Sequence, residues 1–323
     1  MNFANESKIE IDIYVDEIEP ERDCNFIILG ALFVPNNKKE EIYAEILNIR
    51  CQNDKNKFWN TDFNSCSNRN NCKEEWHSMN NCEVHFTDVR DGRVNRSMIK
   101  ISKSWLKNYC NNNQKYFTNV LYINLDNLDV SFFGDSSVNA NIYNKFLRTL
   151  INYGLKCFFA KYDKIVINNI FYDEKTDLER HYFFNTCNLD KISYESSKNI
   201  IFENSVVFIK SEHKAEKKYP SDSHFIQLID LIIGSIRHNI FRISDSKNKD
   251  DVARILRPLL NKIRQNYFDS DKLKVSFFPK NRIQTVKDLN NEETFQRNDE
   301  FYHLDSFNFE LAEQSTTLGA WMQ

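Results

Sequence analysis

Four acidic side chains stand where an acid is costly to place. Asp16 closes the run IEIDIYVD and Asp173 closes KIVINNIFYD. Asp230 lies inside the apolar stretch FIQLIDLIIGSI, and Glu83 directly precedes Val84-His85-Phe86. A carboxylate among apolar neighbours needs a cation, a hydrogen-bond network or a metal ion. Around Asp230 the residues three and four positions away are Ile226, Gln227, Ile233 and Gly234, so no local helix pair neutralises it. Carboxylates brought together repel one another unless a divalent cation holds them. Hard Mg²⁺ or Mn²⁺ takes oxygen ligands, and two such ions ~3.5–4 Å apart can clamp an in-line phosphoryl displacement. A single acid at a strand end is also an ordinary turn or cap residue, so the chemistry depends on whether the chain brings these acids together.

The elements that must position them follow from periodicity. Ile9, Ile11, Ile13 and Val15 alternate with Glu10, Asp12, Tyr14 and Asp16, the period of a strand. NFIILGALFVP at 25–35 is a second strand, close enough for an antiparallel hairpin. Asn37 is a candidate cap for a helix ending near Arg50. Residues 83–89, 115–126, 164–174 and 200–211 read as strands, and 301–311 as a further one. Helices are expected over 92–109, 139–162, 176–186, 221–240 and 251–268, the last kinked at Pro258. Strands first, then strands interleaved with helices, predict an α/β mixed sheet with helices packed on it. Residues 1–250 are expected to form the core, with 51–82 a Cys- and Asn-rich inserted loop. Residues 251–323 are expected to be a C-terminal helical extension and tail packing on that core.

Composition narrows the function classes. The chain has 323 residues and a net charge of -3, so it carries no global basic signal for nucleic acid. A metal-carboxylate site is itself acidic, and any positive surface must then be local. No segment approaches the ~20 apolar residues of a membrane span, and the first residues lack a signal-peptide hydrophobic region. The chain therefore reads as cytoplasmic, without a membrane partner, and its eight Cys read as reduced thiols or metal ligands.

Several of these stretches resemble a known family in order along the chain. IYVDE followed by NFIILGALFV resembles the Asp-Glu-Ser-Gly opening of bacterial domain-of-unknown-function family 3800. EVH at 83–85 resembles its Glu-x-His step, and FYDE at 171–174 its internal Asp-Glu strand end. DSHFIQLIDLIIGSIR at 222–237 resembles its Ser-x-x-x-x-Gln-Leu-Ala-Asp-Leu-x-x-Gly helix, the most specific of the four. The resemblance implies a ribonuclease H-like fold and a metal-dependent nuclease, with Asp16, Glu83, Asp173 and Asp230 as catalytic metal ligands. It also implies a role in antiphage defence, with a partner protein of such a system. Ile18 and Glu19 stand in place of the family's Ser-Gly, and Ile229 in place of the Ala before Asp230.

The mechanism expected on this basis has Asp16 bridging two Mg²⁺ or Mn²⁺ ions, with Asp230 and Glu83 on one and Asp173 on the other. Glu17, His85, Glu174, Gln227 and His224 are candidates to orient ligands or water. His213, Lys214 and His224 are candidates to assist protonation or phosphate contact. Arg93, Arg96, Lys100, Lys103 and Lys107 recur at spacings of three and four, a basic stripe able to follow a phosphate backbone. Arg254, Arg257, Asn261 and Arg264 repeat that spacing. Cys51, Cys66, Cys72, His77, Cys82 and His85 are candidate ligands for a structural Zn²⁺, although no Cys-x-x-Cys pair occurs among them. Two other functions remain open at this point: a nucleic-acid- or protein-binding module on a degenerate nuclease fold, and a nucleotide phosphohydrolase.

Overall fold

A computed structural model describes residues 7–21, 24–51, 59–67, 69–91, 96–112, 115–126, 128, 138–174, 189, 191–193, 199–241, 243–260 and 272–278. The alternating first segment forms β1 (Lys8–Ile18) and the apolar run after it forms β2 (Phe26–Pro35). They pair antiparallel, with Asp16 opposite Gly30, and the hairpin closes through a Glu21–Cys24 bridge. The strand does not turn after Glu17: Ile18 continues the ladder opposite Ile28. The position where the resembled family has Ser is therefore extended strand, and β1 ends just before Glu19.

β3 (Phe117–Asn124) pairs antiparallel with β2, completing a meander. β4 (Lys164–Asp173) returns parallel to β1 on its other side. Beyond β4 the edge is divided between β5 (Asn199–Phe202) and β6 (Val206–Ile209), both parallel to β4. One continuous strand was expected there. β7 (Leu273–Phe278) pairs parallel with β3 at the opposite edge. The C-terminal segment expected to be helical thus gives the core sheet a strand. The order is β5-β4-β1-β2-β3-β7, with β6 also on β4, so the chain is an α/β protein with a mixed central sheet.

Helices cover both faces. α1 (Asn36–Arg50) follows β2 directly, α2 (Glu74–Asn80) lies within the insertion, and α3 (Arg96–Asn111) and α4 (Val138–Phe158) flank β3. α5 (Pro220–Phe241) is the apolar segment that carries Asp230, and α6 (Lys247–Ala253) follows it. One core joins Tyr14, Ile28, Leu32 and Tyr122 to α3 and α5; the other joins Ile13, Val15, Leu29 and Phe33 to α4. The period-2 alternation of β1 explains this division, because Tyr14 and Asp16 face the α5 layer while Val15 and Glu17 face the α4 layer. α5 is apolar nearly all round because it lies between the sheet and a second layer containing α1 and α3.

Several local expectations need correction. α1 begins at Asn36, with Pro35 rather than Asn37 at the cap position and no side-chain cap bond. Residues 82–90 form no strand. The insertion is partly built: a 3₁₀ turn at Arg69–Asn71 precedes α2, and Trp59, Cys51, Cys66 and Leu47 form a small core. The helix expected from 251 starts earlier, as α6, and passes into a 3₁₀ turn at Arg254–Leu256. The expected helix 176–186 and strand 301–311 lie outside the described residues. Among the described residues, no helix is long and apolar enough to cross a membrane.

Candidate active site

The site grows from the carboxyl ends of β1 and β4. Tyr14 stacks on Phe171 of β4 (5.2 Å) and on Phe225 of α5 (4.7 Å), and its hydroxyl donates to Asp222 Oδ1 (2.6 Å). Two residues further along β1, Asp16 occupies the same face, almost fully buried, with its Oδ1 accepting from the Glu17 N–H (2.9 Å). In the parallel register Val15 pairs with Tyr172, so the next residues, Asp16 and Asp173, are neighbours. Asp173 shares the parity of Phe171 and therefore the face of Asp16. Its Oδ1 accepts from the Ser211 N–H (3.1 Å), just beyond β6.

Gly30, opposite Asp16, sets how closely α5 approaches. A Cβ there would lie 2.3 Å from Ile233 Cγ2 and 3.1 Å from Ile229 Cδ1. The turn of α5 resting on Gly30 is the turn that carries Asp230. Gly30→Val is expected to cost about 1–3 kcal/mol by overpacking, read from the urea denaturation midpoint. The same change lifts the Asp230 turn away from Asp16.

Glu83 and Asp230 meet through His85. The Nε2 of His85 lies 2.8 Å from Glu83 Oε1, and its Nδ1 lies 3.4 Å from Asp230 Oδ2. Burial alone would depress this imidazole, but its bonds to Asp230 and Glu83 prevail and push it up to about 11. Burial raises the Glu83 carboxyl, yet hydrogen bonds from His85 and Ser211 and the His85 charge hold it below its ordinary value. Ser211 thus touches both Asp173 and Glu83. The Phe86 N–H donates to Asp230 Oδ2 (2.8 Å). Phe86 can lie this low because a Cβ on Gly234 would sit 2.5 Å from its ring.

Glu83, Asp173 and Asp230 are therefore linked through Ser211 and His85, with Asp16 beside Asp173 on the same face. Asp230 and Glu83 remain partly open, at 16% and 26% side-chain exposure, so the cluster has a solvent-facing side. The donors are carboxylate oxygens, which suit a hard divalent cation. Among the described residues, no three or more His, Cys, Asp or Glu side chains stand in a group that could hold a metal ion. His85 supplies a positive charge between two of the acids.

Beneath the cluster lies a network that joins Gln227, one of the residues expected to orient the site, to Arg50 and Ser211, which carry no signal in the sequence. Arg50, fully buried, donates from Nη1 to Asn80 O (3.0 Å) and Cys82 O (2.7 Å), and from Nη2 to Gln227 Oε1 (3.1 Å). Its guanidinium lies 4.9 Å from the Trp105 ring centre. Gln227 Oε1 also accepts from the Val84 N–H (3.1 Å), while Nε2 donates to Ser211 O (2.6 Å). Gln227 therefore fixes the segment bearing Glu83 and His85 against the segment that holds Asp173.

The other expected residues fall differently. Glu17 points to the α4 layer, where the Tyr172 hydroxyl donates to it, and so it does not flank Asp16. Glu174 is exposed, its N–H donating to Ile209 O (2.7 Å). His224 is fully buried, its Nδ1 3.0 Å from Pro220 O and its ring against His213, Tyr43 and Trp105. Burial, with Arg50 and His213 nearby, keeps it neutral. Burial first, then Arg50 and Lys214, push His213 down to about 3. Both histidines are thus held neutral, which disfavours the protonating role expected of them. Of the zinc candidates, His77 stacks on Trp59 (4.7 Å), Cys51 and Cys66 lie in the small core, and His85 belongs to the acid cluster.

The basic stripe lies on α3. Met98, Ile101, Trp105 and Tyr109 are buried, while Arg96, Lys100 and Lys107 are exposed. Lys100, Lys103 and Lys107 line a groove of about 710 Å³ between α1 and α3. Lys103 is engaged with Asp251 (3.0 Å). Arg93 lies outside the described residues, as do Asn261 and Arg264. Arg257 turns back to Asn239 Oδ1 (3.0 Å), and Arg254 stands in a 3₁₀ turn, so the second stripe does not continue as a regular helical face. No protein-family model matches the chain, and a search of curated proteins finds no match.

Proposed function

We propose that the chain is a divalent-metal-dependent nuclease built on a ribonuclease H-like sheet. The observation that supports this reading is that Asp16 and Asp173 are neighbours at one end of two adjacent parallel strands, with Glu83 and Asp230 connected to Asp173 through Ser211 and His85. The strand order agrees with it: an antiparallel β1–β2–β3 meander with parallel strands β4 and β5 beyond β1 is the arrangement of a ribonuclease H-like sheet.

The same four acids would hold Mg²⁺ or Mn²⁺. Bound there, such ions supply an acidified water and stabilise the charge that develops on the leaving oxygen. The chain's own residues set the stage. Gln227 and Arg50 fix the Glu83 segment, Ser211 ties Asp173 to Glu83, and Gly30 lets α5 bring Asp230 onto the sheet. The Lys100–Lys107 groove is the surface best suited to a phosphate backbone.

A second reading, a binding module on a degenerate site, draws support from His85, which stands between Glu83 and Asp230 and within ion-pair reach of both. A panel of single-stranded, duplex and hybrid substrates, with free nucleotides beside them, separates the readings. Cleavage of a polynucleotide that requires Mg²⁺ or Mn²⁺ and stops with chelator is the expected result. Binding without turnover supports the module, and turnover of free nucleotides alone supports a phosphohydrolase.

A further inference from the structure

At the opposite end of β1 from the acids, a cavity of about 660 Å³ opens between the start of α1 and the end of α4. Lys8 and Asp16 are eight residues apart on one strand, about 26 Å at the usual rise, so the two sites are separate. The volume falls within the ~300–1,000 Å³ of small-molecule pockets.

The lining combines two chemistries. On one side stand Lys8 and Lys38, with Glu10 as the acid among the lining residues. Lys8 pairs with Glu10 (2.5 Å) and Lys38 with Glu41 (3.2 Å), both on exposed side chains, so these pairs are weak and can yield to a stronger anion. The first turn of α1 enters the same cavity at Asn36, Asn37 and Lys38, with no side-chain cap and no acid in that turn. Its unbonded N–H groups suit an anion. On the other side lie the rings of Phe158 and Tyr162, with Phe117 stacked on Phe158 (5.2 Å). Lys161 sits 5.2 Å from the Tyr162 ring centre.

We propose that this cavity binds a phosphate-bearing nucleobase, with the phosphate at the α1 N-terminus and lysines and the base against Phe158 and Tyr162. Such a group can come from a free nucleotide or from the phosphorylated end of an oligonucleotide. This site is independent of the acids and of the reading given to them.

Calorimetric titration of the full chain with AMP, ATP, GMP, GTP, a 5′-phosphorylated dinucleotide and inorganic phosphate tests it. Saturable binding of at least one nucleotide or of the dinucleotide is expected, and which of them binds identifies the source. That binding should persist in Asp16→Asn, weaken at least tenfold in the Lys38→Glu, Lys161→Glu double variant, and weaken in Tyr162→Ala. Thermal unfolding confirms that the variants fold. No saturable binding, binding unaffected by the pocket variants, binding lost in Asp16→Asn, or equal affinity for inorganic phosphate alone overturns the proposal.

Discussion

Replacing Asp230 by Asn is expected to lower divalent-metal-dependent cleavage by more than about 100-fold while the chain stays folded. Loss of an outer-shell partner in a metal site costs about 10–100-fold, and Asp230 is assigned a direct ligand role. The side chain is isosteric and partly exposed, and the amide oxygen can still accept from the Phe86 N–H, which now contacts Asp230 Oδ2. The variant also removes one of the two carboxylates that hold His85 as a cation. In the fold that imidazole stands at about 11, against ~6.5 when unfolded. Its stabilising contribution is therefore complete below ~6.5 and is lost as pH rises through about 11. With Glu83 alone the folded value drops, and the loss begins at lower pH. Thermal unfolding at steps from pH 6 to 10 should show the variant weakening earlier than the parent. Identical profiles would mean that the Asp230 contact does not hold the charge.

Arg50→Ala should produce the largest loss of stability, about 3–5 kcal/mol. The change takes the Arg50 donor away from Asn80 O and Cys82 O, leaves Gln227 Oε1 with the Val84 N–H as its donor, and empties the space against Trp105. Burial already pulls this guanidinium down to about 10, so part of its own desolvation cost is recovered. Without Arg50, Gln227 loses one of the contacts that aim Glu83 and His85. Activity should fall together with stability. Urea denaturation and a cleavage assay on the same preparation check both, and an unchanged midpoint would contradict the role assigned to Arg50.

Strands β1 to β4 and the long apolar helix were legible because their periodicities are strong and are reinforced by burial on both faces; β7, in a segment that reads as a helical extension, was not. The segment 83–89 misled. Its alternation reads as a strand, but the N–H groups of Val84 and Phe86 bond to the side chains of Gln227 and Asp230 instead of a ladder. Glu17 was misplaced although period 2 alone sets it opposite Asp16, and Tyr172 receives it there. Histidine chemistry was not legible. His85, three residues beyond an Asn- and Cys-rich insertion, becomes an ion-paired cation, whereas His213 and His224 are buried neutral. Arg50 and Ser211 carry no local signal, because Arg50 meets Gln227 across 177 residues and Ser211 meets Asp173 across 38. Long-range hydrogen bonding of this kind is set by the tertiary fold and leaves no trace in local spacing.

The central claim is that acids from four distant segments act as one cation site. Mn²⁺ binding, followed by electron paramagnetic resonance of the free ion, tests it without assuming a substrate. The parent chain is expected to take up Mn²⁺ saturably, with Mg²⁺ competing, and Asp16→Asn to bind at least tenfold more weakly. Equal uptake by parent and variant, or no saturable uptake by the parent, would contradict it.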